Sequence, residues 1–423
     1  MNRKVIIFSG LALVAMALGA CATTSAFECT DAIGCVDIAP DDPIHIAYML
    51  TTSGATAFLG DDSLGGIDIA IDERGQIEGH DIQLTGEDSL CSAEGGQTAG
   101  TRVAADPTIL GAIGTNCSSA GEAASAILSE AGMLMFSPSN TAESLTDPAK
   151  SYFPGYFRTA HNDKFQGAVA AQFAITQLGA TTAATIHDGS PYADGLQAVF
   201  AEEFENLGGT ITFQGAVNVG DTDMNPILTT ISADPPDALY FPIFEPEGNL
   251  IAAQSRDVPG LEDTILYGAD GLLVSSFGSN TGSAAEGMYL SGPYVSDAAP
   301  DYAAFLETYI ANTGGPPPAG FAAHAYDATR IILDAVEAVM VVDDDGTLHV
   351  GRQALRDYIT NLSGFDGLTG SLNCGDKQLA GVEAKGECAT GEALGIFQIG
   401  ADNVASADNW PLPFVWLPVG TDE

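Results

Sequence analysis

The chain has 423 residues, 46% of them hydrophobic, and its 56 Asp and Glu residues outnumber its 13 Lys and Arg residues, for a formal net charge of −43 at pH 7. This acidic excess excludes recognition of nucleic acid or anionic lipid through a basic patch, and it indicates a solvated acidic surface that would suit a salty habitat. The length indicates two lobes, because one hydrophobic core rarely serves so long a chain.

The amino terminus carries the pattern of an export signal. Arg3 and Lys4 precede an uncharged, mostly apolar run over residues 5–18. That order is typical of a secretory signal peptide and not of a structural helix. A membrane-spanning anchor is disfavoured, because the run is shorter than the ~20 residues that a spanning helix requires.

A lipoprotein cleavage motif ends this signal. Leu18-Gly19-Ala20-Cys21 places small residues before a cysteine, so we predict that residues 1–20 are removed and that Cys21 becomes an acylated amino terminus. The acyl chains would anchor the protein at the periplasmic or outer face of a cell membrane. Cleavage near Ala22, as in an ordinary signal peptide, is the alternative. The small, acidic stretch over residues 21–42 predicts a spacer.

The cysteine content agrees with export. Setting Cys21 aside leaves six of the seven cysteines, an even number in a compartment that permits disulfides, although six cysteines allow many pairings. A zinc site is disfavoured, because no cysteine pair has the spacing of a zinc knuckle and the histidines lie elsewhere. Proximity along the chain favours the disulfides Cys29–Cys35 and Cys374–Cys388, which leaves Cys91–Cys117.

Strand and helix patterns alternate from residue 44 onward. Short apolar runs bounded by turn residues predict strands, and apolar residues at helical spacing predict helices between them. Repeated βα units indicate parallel, doubly wound sheets. The predicted strands are 44–50, 80–84, 109–113, 133–137, 182–187, 210–217, 238–242, 264–268 and 289–295. The predicted helices are 64–71, 93–105, 120–131, 164–178, 192–207, 248–255, 302–310 and 321–341, the last of which would return to cover the first lobe.

Two polar segments, residues 114–119 and 137–141, follow consecutive predicted strands. In open parallel sheets, ligands bind beyond the carboxyl ends of the strands, where the N–H groups at helix starts attract anions. Capping of a helix by Ser or Thr, worth about 1 kcal/mol, is the alternative for each segment. Their recurrence on consecutive strands makes a carboxylate site the competing hypothesis.

These segments are part of a wider similarity that runs from about residue 43 to residue 403. The chain resembles the branched-chain amino-acid-binding (Leu/Ile/Val-binding-like) family of periplasmic binding proteins, which serve ATP-driven importers. The motifs that carry the resemblance, in order, are Ser53-Gly54, Gly60-Asp61, the Cys91 and Cys117 pair, Cys117-Ser118-Ser119, Ser137-Pro138 with Thr141, Tyr156-Phe157-Arg158-Thr159, and His187-Asp188 with Tyr192.

The resemblance implies an α/β fold of two Rossmann-like lobes with parallel sheets, joined by a three-strand hinge, which is the type I periplasmic binding fold. We expect residues 43–158 with 292–370 to form the amino-terminal lobe. Residues 159–291 with 371–418 are expected to form the carboxy-terminal lobe.

The resemblance also implies ligand contacts from the first lobe. Ser118 matches a serine whose hydroxyl binds the ligand carboxylate. Thr141 matches a threonine that contacts both the carboxylate and the ammonium. Ser139 matches a position that offers main-chain atoms, although Ser139-Asn140 stands where small alanines are common.

Four further positions complete the implied site. Tyr192 matches an aromatic residue that closes over the amino end of the ligand, and Asp270 stands where the family usually has an ammonium-binding glutamate. Leu59 and Phe244 match positions of an apolar side-chain pocket, Phe244 where a tyrosine is frequent. A plain turn residue is the alternative for Asp270, which lies in Gly268-Ala269-Asp270-Gly271.

Together with these observations, the resemblance implies a monomeric, extracytoplasmic receptor that binds a small neutral amino acid, branched-chain or similar, between its two lobes. It would deliver this ligand to the permease subunits of an ABC importer, without a cofactor or a metal. A ligand sensor, or a binder of amides, urea or aromatic acids, is the alternative. An enzyme is disfavoured, because no nucleophile elbow, Walker loop or zinc helix motif is found. Calcium at Asp343-Asp344-Asp345-Gly346 is disfavoured for want of an EF-hand glutamate, and His161 and His187 are expected to be structural.

Overall fold

The computed structural model describes residues 27–295, 300–379, 381–389 and 394–418. The predicted signal peptide and the lipidation site at Cys21 lie outside these residues. Among the helices described, none is both long enough and apolar enough to cross a bilayer.

Strands are distributed along the whole described chain, and most are short. They are β1 (Cys35–Ile38), β2 (Ile44–Leu50), β3 (Gln76–Ile77), β4 (His80–Asp88), β5 (Gly111–Gly114), β6 (Leu134–Ser137), β7 (Tyr156–Arg158), β8 (Thr182–His187), β9 (Thr210–Ala216), β10 (Ala238–Tyr240), β11 (Ile265–Gly268), β12 (Tyr289–Pro293), β13 (Val341–Val342), β14 (Leu348–Gly351), β15 (Phe365–Gly367), β16 (Gly370–Leu372), β17 (Lys377–Leu379), β18 (Val382–Ala384), β19 (Leu394–Gln398) and β20 (Phe414–Trp416).

Helices separate most of the strands, as the alternating pattern predicts. They are α1 (Phe58–Arg74), α2 (Ala93–Ala104), α3 (Ser118–Glu130), α4 (Asp163–Thr176), α5 (Pro191–Asn206), α6 (Asn225–Ile231), α7 (Glu247–Ser255), α8 (Phe277–Thr281), α9 (Pro300–Thr313), α10 (Ala322–Val339), α11 (Arg352–Thr360) and α12 (Ala401–Ala405).

The first lobe is built on a six-stranded sheet in the order β3-β4-β2-β5-β6-β7. Its neighbours pair in parallel except for β3 and β4. Successive side chains of a strand point to opposite faces, so Ile44 and Ile46 of β2 pack in the core formed with α10. Ala47 and Met49 pack on the other face, in the core formed with α2 and α3. This two-sided burial explains why β2 is apolar along nearly its whole length.

The second lobe is built on a seven-stranded sheet in the order β20-β19-β12-β11-β10-β8-β9. The strands from β8 to β12 pair in parallel, and β19 and β20 add an antiparallel edge. The chain leaves the first sheet after β7, returns to the first lobe after β12 through α10, which packs in the first-lobe core, and rejoins the second sheet at β19. The expected α/β class with two parallel-sheet lobes is therefore confirmed.

The predicted spacer over residues 21–42 is wrong for part of its length. Residues 35–38 form β1, which pairs antiparallel with β14 at the edge of the first lobe. Val36 and Ile38 are buried, whereas Asp37 between them is exposed. This alternation is the signature of a half-buried strand, and the small, acidic residues around it obscured it in the sequence.

A segment near the carboxyl end bears on the lobe boundaries. Leu372, Cys374 and Cys388 lie in the hydrophobic core of the first lobe, and β19 belongs to the second sheet. We propose that the first lobe extends to about residue 388 and that the second lobe resumes with β19. The remaining expected boundaries, and the hinge itself, stay predictions.

Two regular elements of the first lobe, β14 and α11, were not predicted from the sequence. They follow the acidic turn at residues 343–346, and α11 has little more than two turns. Leu355 and Ile359 of α11 are buried, four residues apart on one face. So short a pattern predicts a helix poorly, because tertiary packing supplies most of the stability of short helices.

Three disulfides join the described cysteines, two in the pairs that proximity favoured and one between the two cysteines that remained. They are Cys29–Cys35, Cys91–Cys117 and Cys374–Cys388.

Candidate ligand-binding cavity

One cavity between the lobes collects side chains from both sheets. The empty space along its lining, open solvent included, is about 280 Å³. Because the carboxyl ends of parallel strands and the following helix starts share one edge of a sheet, residues far apart in the chain meet there. The structure brings all seven predicted ligand contacts into its wall, Leu59, Ser118, Ser139, Thr141, Tyr192, Phe244 and Asp270, together with Asn116, Gly271 and Phe321, which sequence reasoning missed.

Ser118 lies in the first turn of α3, directly after the loop that follows β5. Its side chain is buried, and its Oγ accepts a hydrogen bond from the Ala142 N–H across 3.2 Å. The N-cap residue of α3 is Cys117, whose side chain makes no capping hydrogen bond, so helix capping does not explain this serine. The unsatisfied N–H groups of a first helical turn suit a carboxylate.

Ser139 and Asn116 are joined in the first-lobe wall. Ser139 Oγ donates to the Asn116 carbonyl across 3.0 Å. The Asn116 side chain donates to the Leu59 carbonyl and to Ser63 Oγ, each across 3.0 Å, and accepts from the Thr51 N–H across 2.7 Å. Asn116 therefore holds the backbone of Leu59 at a fixed position relative to Ser139. Asn116 lies within the polar segment 114–119, which the sequence does indicate, but the family motif in that segment begins only at Cys117.

Thr141 lies in a loop whose backbone is hydrogen-bonded to the Arg158 side chain. Arg158 Nη1 donates to the carbonyls on either side of Thr141, those of Asn140 (3.1 Å) and Ala142 (2.8 Å). Arg158 is fully buried and pairs with Glu387, with Nη2 and Oε2 2.6 Å apart. Charge-assisted hydrogen bonds of this kind are strong and directional. They fix the backbone that presents Thr141 to the cavity.

Asp270 supplies an acidic group from the second lobe, where it opens a 3₁₀ turn after β11. Its Oδ1 accepts hydrogen bonds from Tyr192 Oη and Gln166 Nε2, each across 2.8 Å. Burial raises the pKa of Asp270 to about 6, against these two hydrogen bonds, which lower it. Asp270 is thus both a turn residue and a buried carboxylate that is largely ionised at neutral pH.

Tyr192 lies at the start of α5 and orients Asp270. Its hydroxyl donates to Asp270 and also accepts from the Gly271 N–H across 3.0 Å. Its ring packs against the Phe244 ring at a centroid distance of 5.1 Å. The phenol therefore has its polar edge at the acid and its apolar face along the cavity wall.

Phe321 completes the apolar wall from the segment that enters α10. Its ring packs near those of His161 and His324, at centroid distances of 6.3 and 5.5 Å. Burial lowers the pKa of His161 to about 3 and that of His324 to about 4, so both are neutral packing partners. The sequence placed Phe321 only at the start of a long helix, which carries no information about a cavity.

Asp163 is a buried acid close to the cavity but outside its lining. Its backbone N–H donates to the Thr141 carbonyl across 3.0 Å, and both of its carboxylate oxygens are buried without a hydrogen-bond partner. Burial raises the pKa of Asp163 well above its usual range, and the nearby Asp270 carboxylate raises it further. Burial and the neighbouring Asp270 thus favour the neutral form of the Asp163 carboxyl group, which limits the cost of leaving it unpaired.

The cavity offers hydroxyl groups and a helix start on one side, an ionised acid on the other, and aromatic and aliphatic side chains between them. Such a set can hold a small zwitterion by its two charged ends. Within the described parts of the chain, no group of three or more His, Cys, Asp or Glu side chains is arranged to hold a metal ion.

Comparisons with known proteins agree with this architecture. A family model described as periplasmic binding protein matches residues 43–381. The leucine-, isoleucine-, valine-, threonine- and alanine-binding protein of Pseudomonas aeruginosa is 26% identical over 328 residues, covering 77% of this chain and 86% of that protein. The leucine-specific-binding protein of Salmonella typhimurium is 27% identical over 365 residues, covering 85% and 92%. A crystal structure of a leucine-binding protein from Thermotoga maritima has a TM-score of 0.74 and 25% identity, covering 88% of this chain and 98% of that one.

Proposed function

Because the chain belongs to the branched-chain amino-acid-binding family of periplasmic binding proteins, we propose that it is a receptor for a neutral amino acid with an apolar side chain. It binds this ligand outside the cytoplasm and delivers it to the permease subunits of an ABC importer. The observation that carries the proposal is the single cavity in which Asp270 of the second lobe stands with Ser118 and Thr141 of the first.

The ligand carboxylate binds at the first lobe in this proposal. The start of α3 has N–H groups without intrahelical partners, and their partial positive charge favours an anion. The Ser118 and Thr141 hydroxyls line the cavity beside it. An anion taken out of water needs such donors to replace its hydration.

The ligand ammonium pairs with Asp270. This carboxylate is buried, and among the described residues no Lys, Arg or His side chain forms an ion pair with it. A ligand cation would supply the missing positive charge, whereas an aromatic acid would bring a second negative charge into the site. This contrast favours an amino acid over the alternative class of aromatic acids, and over neutral amides and urea.

The ligand side chain packs against Leu59, Phe244 and Phe321, which form the apolar part of the wall. Each buried methylene contributes about 0.8 kcal/mol, so a branched aliphatic side chain gains more here than that of alanine. A charged side chain would lose its hydration without a partner in this part of the wall.

In the proposed complex, the ligand contacts both lobes at once. A ligand stabilises the closed form through contacts that the open form lacks, and here the contacts come from both lobes. The proposed role is thus recognition and delivery, with no catalytic step. The monomeric state, the extracytoplasmic location and the lipid anchor at Cys21 are part of the same proposal.

A ligand panel tests this function directly. Titration calorimetry would compare L-leucine with 4-methylpentanoic acid, which lacks the ammonium, with L-leucinamide, which lacks the carboxylate, and with benzoate. We expect measurable heat for L-leucine and a loss of at least about 100-fold in affinity for each of the others. Tighter binding of benzoate or of a neutral amide than of every amino acid tried would contradict the proposal and favour the alternative.

A further inference from the structure

Asp62 is a buried acid to which the proposed binding scheme gives no role. Its side chain is fully buried in α1. Its Oδ1 accepts a hydrogen bond from the Ala319 N–H across 2.9 Å, and its Oδ2 accepts one from the Phe321 N–H across 3.0 Å. One carboxylate therefore joins α1 to the segment that enters α10.

This connection spans two parts of the cavity wall. Leu59 stands three residues before Asp62 on α1, so the two lie on the same side of the helix. Leu59 and Phe321 both line the cavity. The Asp62 carboxylate thus sets the position of the Phe321 backbone relative to the helix that carries Leu59.

Close packing around Asp62 restricts the distance between α1 and the segment that carries Phe321. A Cβ atom at Gly66 would lie 2.0 Å from the Ala322 carbonyl oxygen, so α1 and α10 approach each other backbone to backbone. The Tyr309 hydroxyl donates to the Asp62 carbonyl across 3.3 Å and also lies 3.2 Å from the Asp61 carbonyl. Interiors packed this closely transmit a local shift instead of absorbing it.

We infer that Asp62 is a positioning residue that sets the selectivity of the receptor for branched aliphatic side chains, because it holds Phe321 at a fixed distance from Leu59. The inference rests on the proposed function, since it concerns the side-chain end of the same ligand. Burial raises the pKa of Asp62 to about 7, against the hydrogen bonds from Ala319 and Phe321. Burying this acid costs free energy that an apolar contact would avoid, and the two hydrogen bonds from the Ala319 and Phe321 N–H groups offset part of that cost.

The test is the substitution Asp62→Asn. The amide offers one acceptor in place of two, and its NH₂ group would face one of the two backbone N–H donors. Phe321 should then move away from the cavity and leave the ligand side chain less well packed. We expect the ratio of L-leucine to L-alanine affinities, measured by titration calorimetry, to fall roughly tenfold, the scale on which apolar pockets discriminate between side chains.

Asp327 provides a matched control in the same lobe. It is equally buried, and its carboxylate accepts the Leu368 N–H and the Thr369 N–H, each across 2.9 Å, but it does not line the cavity. Asp327→Asn should lower the melting temperature much as Asp62→Asn does and leave the leucine-to-alanine ratio unchanged. An equal loss of affinity for both amino acids in Asp62→Asn would show a structural role only and overturn the inference.

Two further variants separate the possible outcomes. If Asp62→Asn does not fold, Asp62→Ser retains one acceptor and should still lower the ratio. In a Phe321→Ala background, Asp62→Asn should leave the ratio unaltered, because the residue through which it acts is gone; an unchanged effect there would contradict the inference. A wild-type protein that binds neither amino acid would instead refute the proposed function.

Discussion

Tyr192 and Asp270 meet across 2.8 Å, with the phenol donating its proton to Oδ1 of the carboxylate. The same phenol oxygen accepts the N–H of Gly271, so the tyrosine is held at both its donor and its acceptor. Gln166 brings a second donor to the same carboxylate oxygen. The acid is therefore fixed in place before any ligand arrives, which reduces the ordering that binding requires.

Replacement of the acid should remove the recognition of the ammonium. We expect Asp270→Ala to weaken the binding of L-leucine by about 2–5 kcal/mol, because it leaves a buried ammonium without its partner. Titration calorimetry would measure the loss, and Asp270→Glu should retain much of the affinity. Equal affinities of the wild type and Asp270→Ala would remove Asp270 from the site.

Binding should also depend on pH in a defined direction. The buried Asp270 has its pKa raised to about 6, and an ammonium prefers the ionised form. Protonation of Asp270 should thus lower the affinity for L-leucine by up to about tenfold per pH unit below pH 6, and this contribution should level off above about pH 7. Calorimetry from pH 4.5 to 8 would record this profile.

The matching variant for the pH series is Asp270→Asn. It keeps every other buried acid, including Asp62 and Asp327, whose pKa values are raised to about 7 and about 6. Its weaker binding should show a smaller fall over the same range, because only the titration of Asp270 has been removed. A fall of equal size in the variant would assign the titration to another group.

Breaking the buried Arg158–Glu387 ion pair should lower the free energy of unfolding strongly. Arg158→Met leaves the buried Glu387 carboxylate without its ion-pair partner, so we expect a loss of about 3–5 kcal/mol in the free energy of unfolding. Urea denaturation followed by circular dichroism would measure it. The double variant Arg158→Met with Glu387→Leu should recover part of the loss, and a double variant less stable than the single one would contradict this reasoning.

The disulfide between Cys91 and Cys117 joins the turn before α2 to the residue that precedes Ser118 at the start of α3. Replacing both cysteines by alanine should lower the free energy of unfolding by about 2–4 kcal/mol. The substitution should also weaken binding, because Cys117 directly precedes the start of α3. Thiol titration of the oxidised mature protein should find none of the six described cysteines free; two or more free thiols would disprove the pairing.

Much of the fold could be predicted because it depends on local pattern. The strands β2 and β8 occupy the predicted ranges, because a short apolar run between turn residues is typical of a buried strand in an α/β chain. The strand β1 escaped prediction because it has only four residues and lies among small, acidic ones. The polar segments after β5 and β6 were found because ligand sites in such sheets follow the carboxyl ends of strands.

The sequence by itself determined the alternation of elements, the α/β class, and, through its resemblance to a family, seven side chains that share one cavity. Only the tertiary structure decided how those side chains are held. The bonds that do so join Gln166 to Asp270, Arg158 to Glu387 and Asp62 to Phe321, at separations of 104, 229 and 259 residues. Hydrophobic periodicity reports which face of an element is buried but not which distant polar group it meets there. That meeting depends on how the two sheets are wound and packed, and therefore on the whole chain.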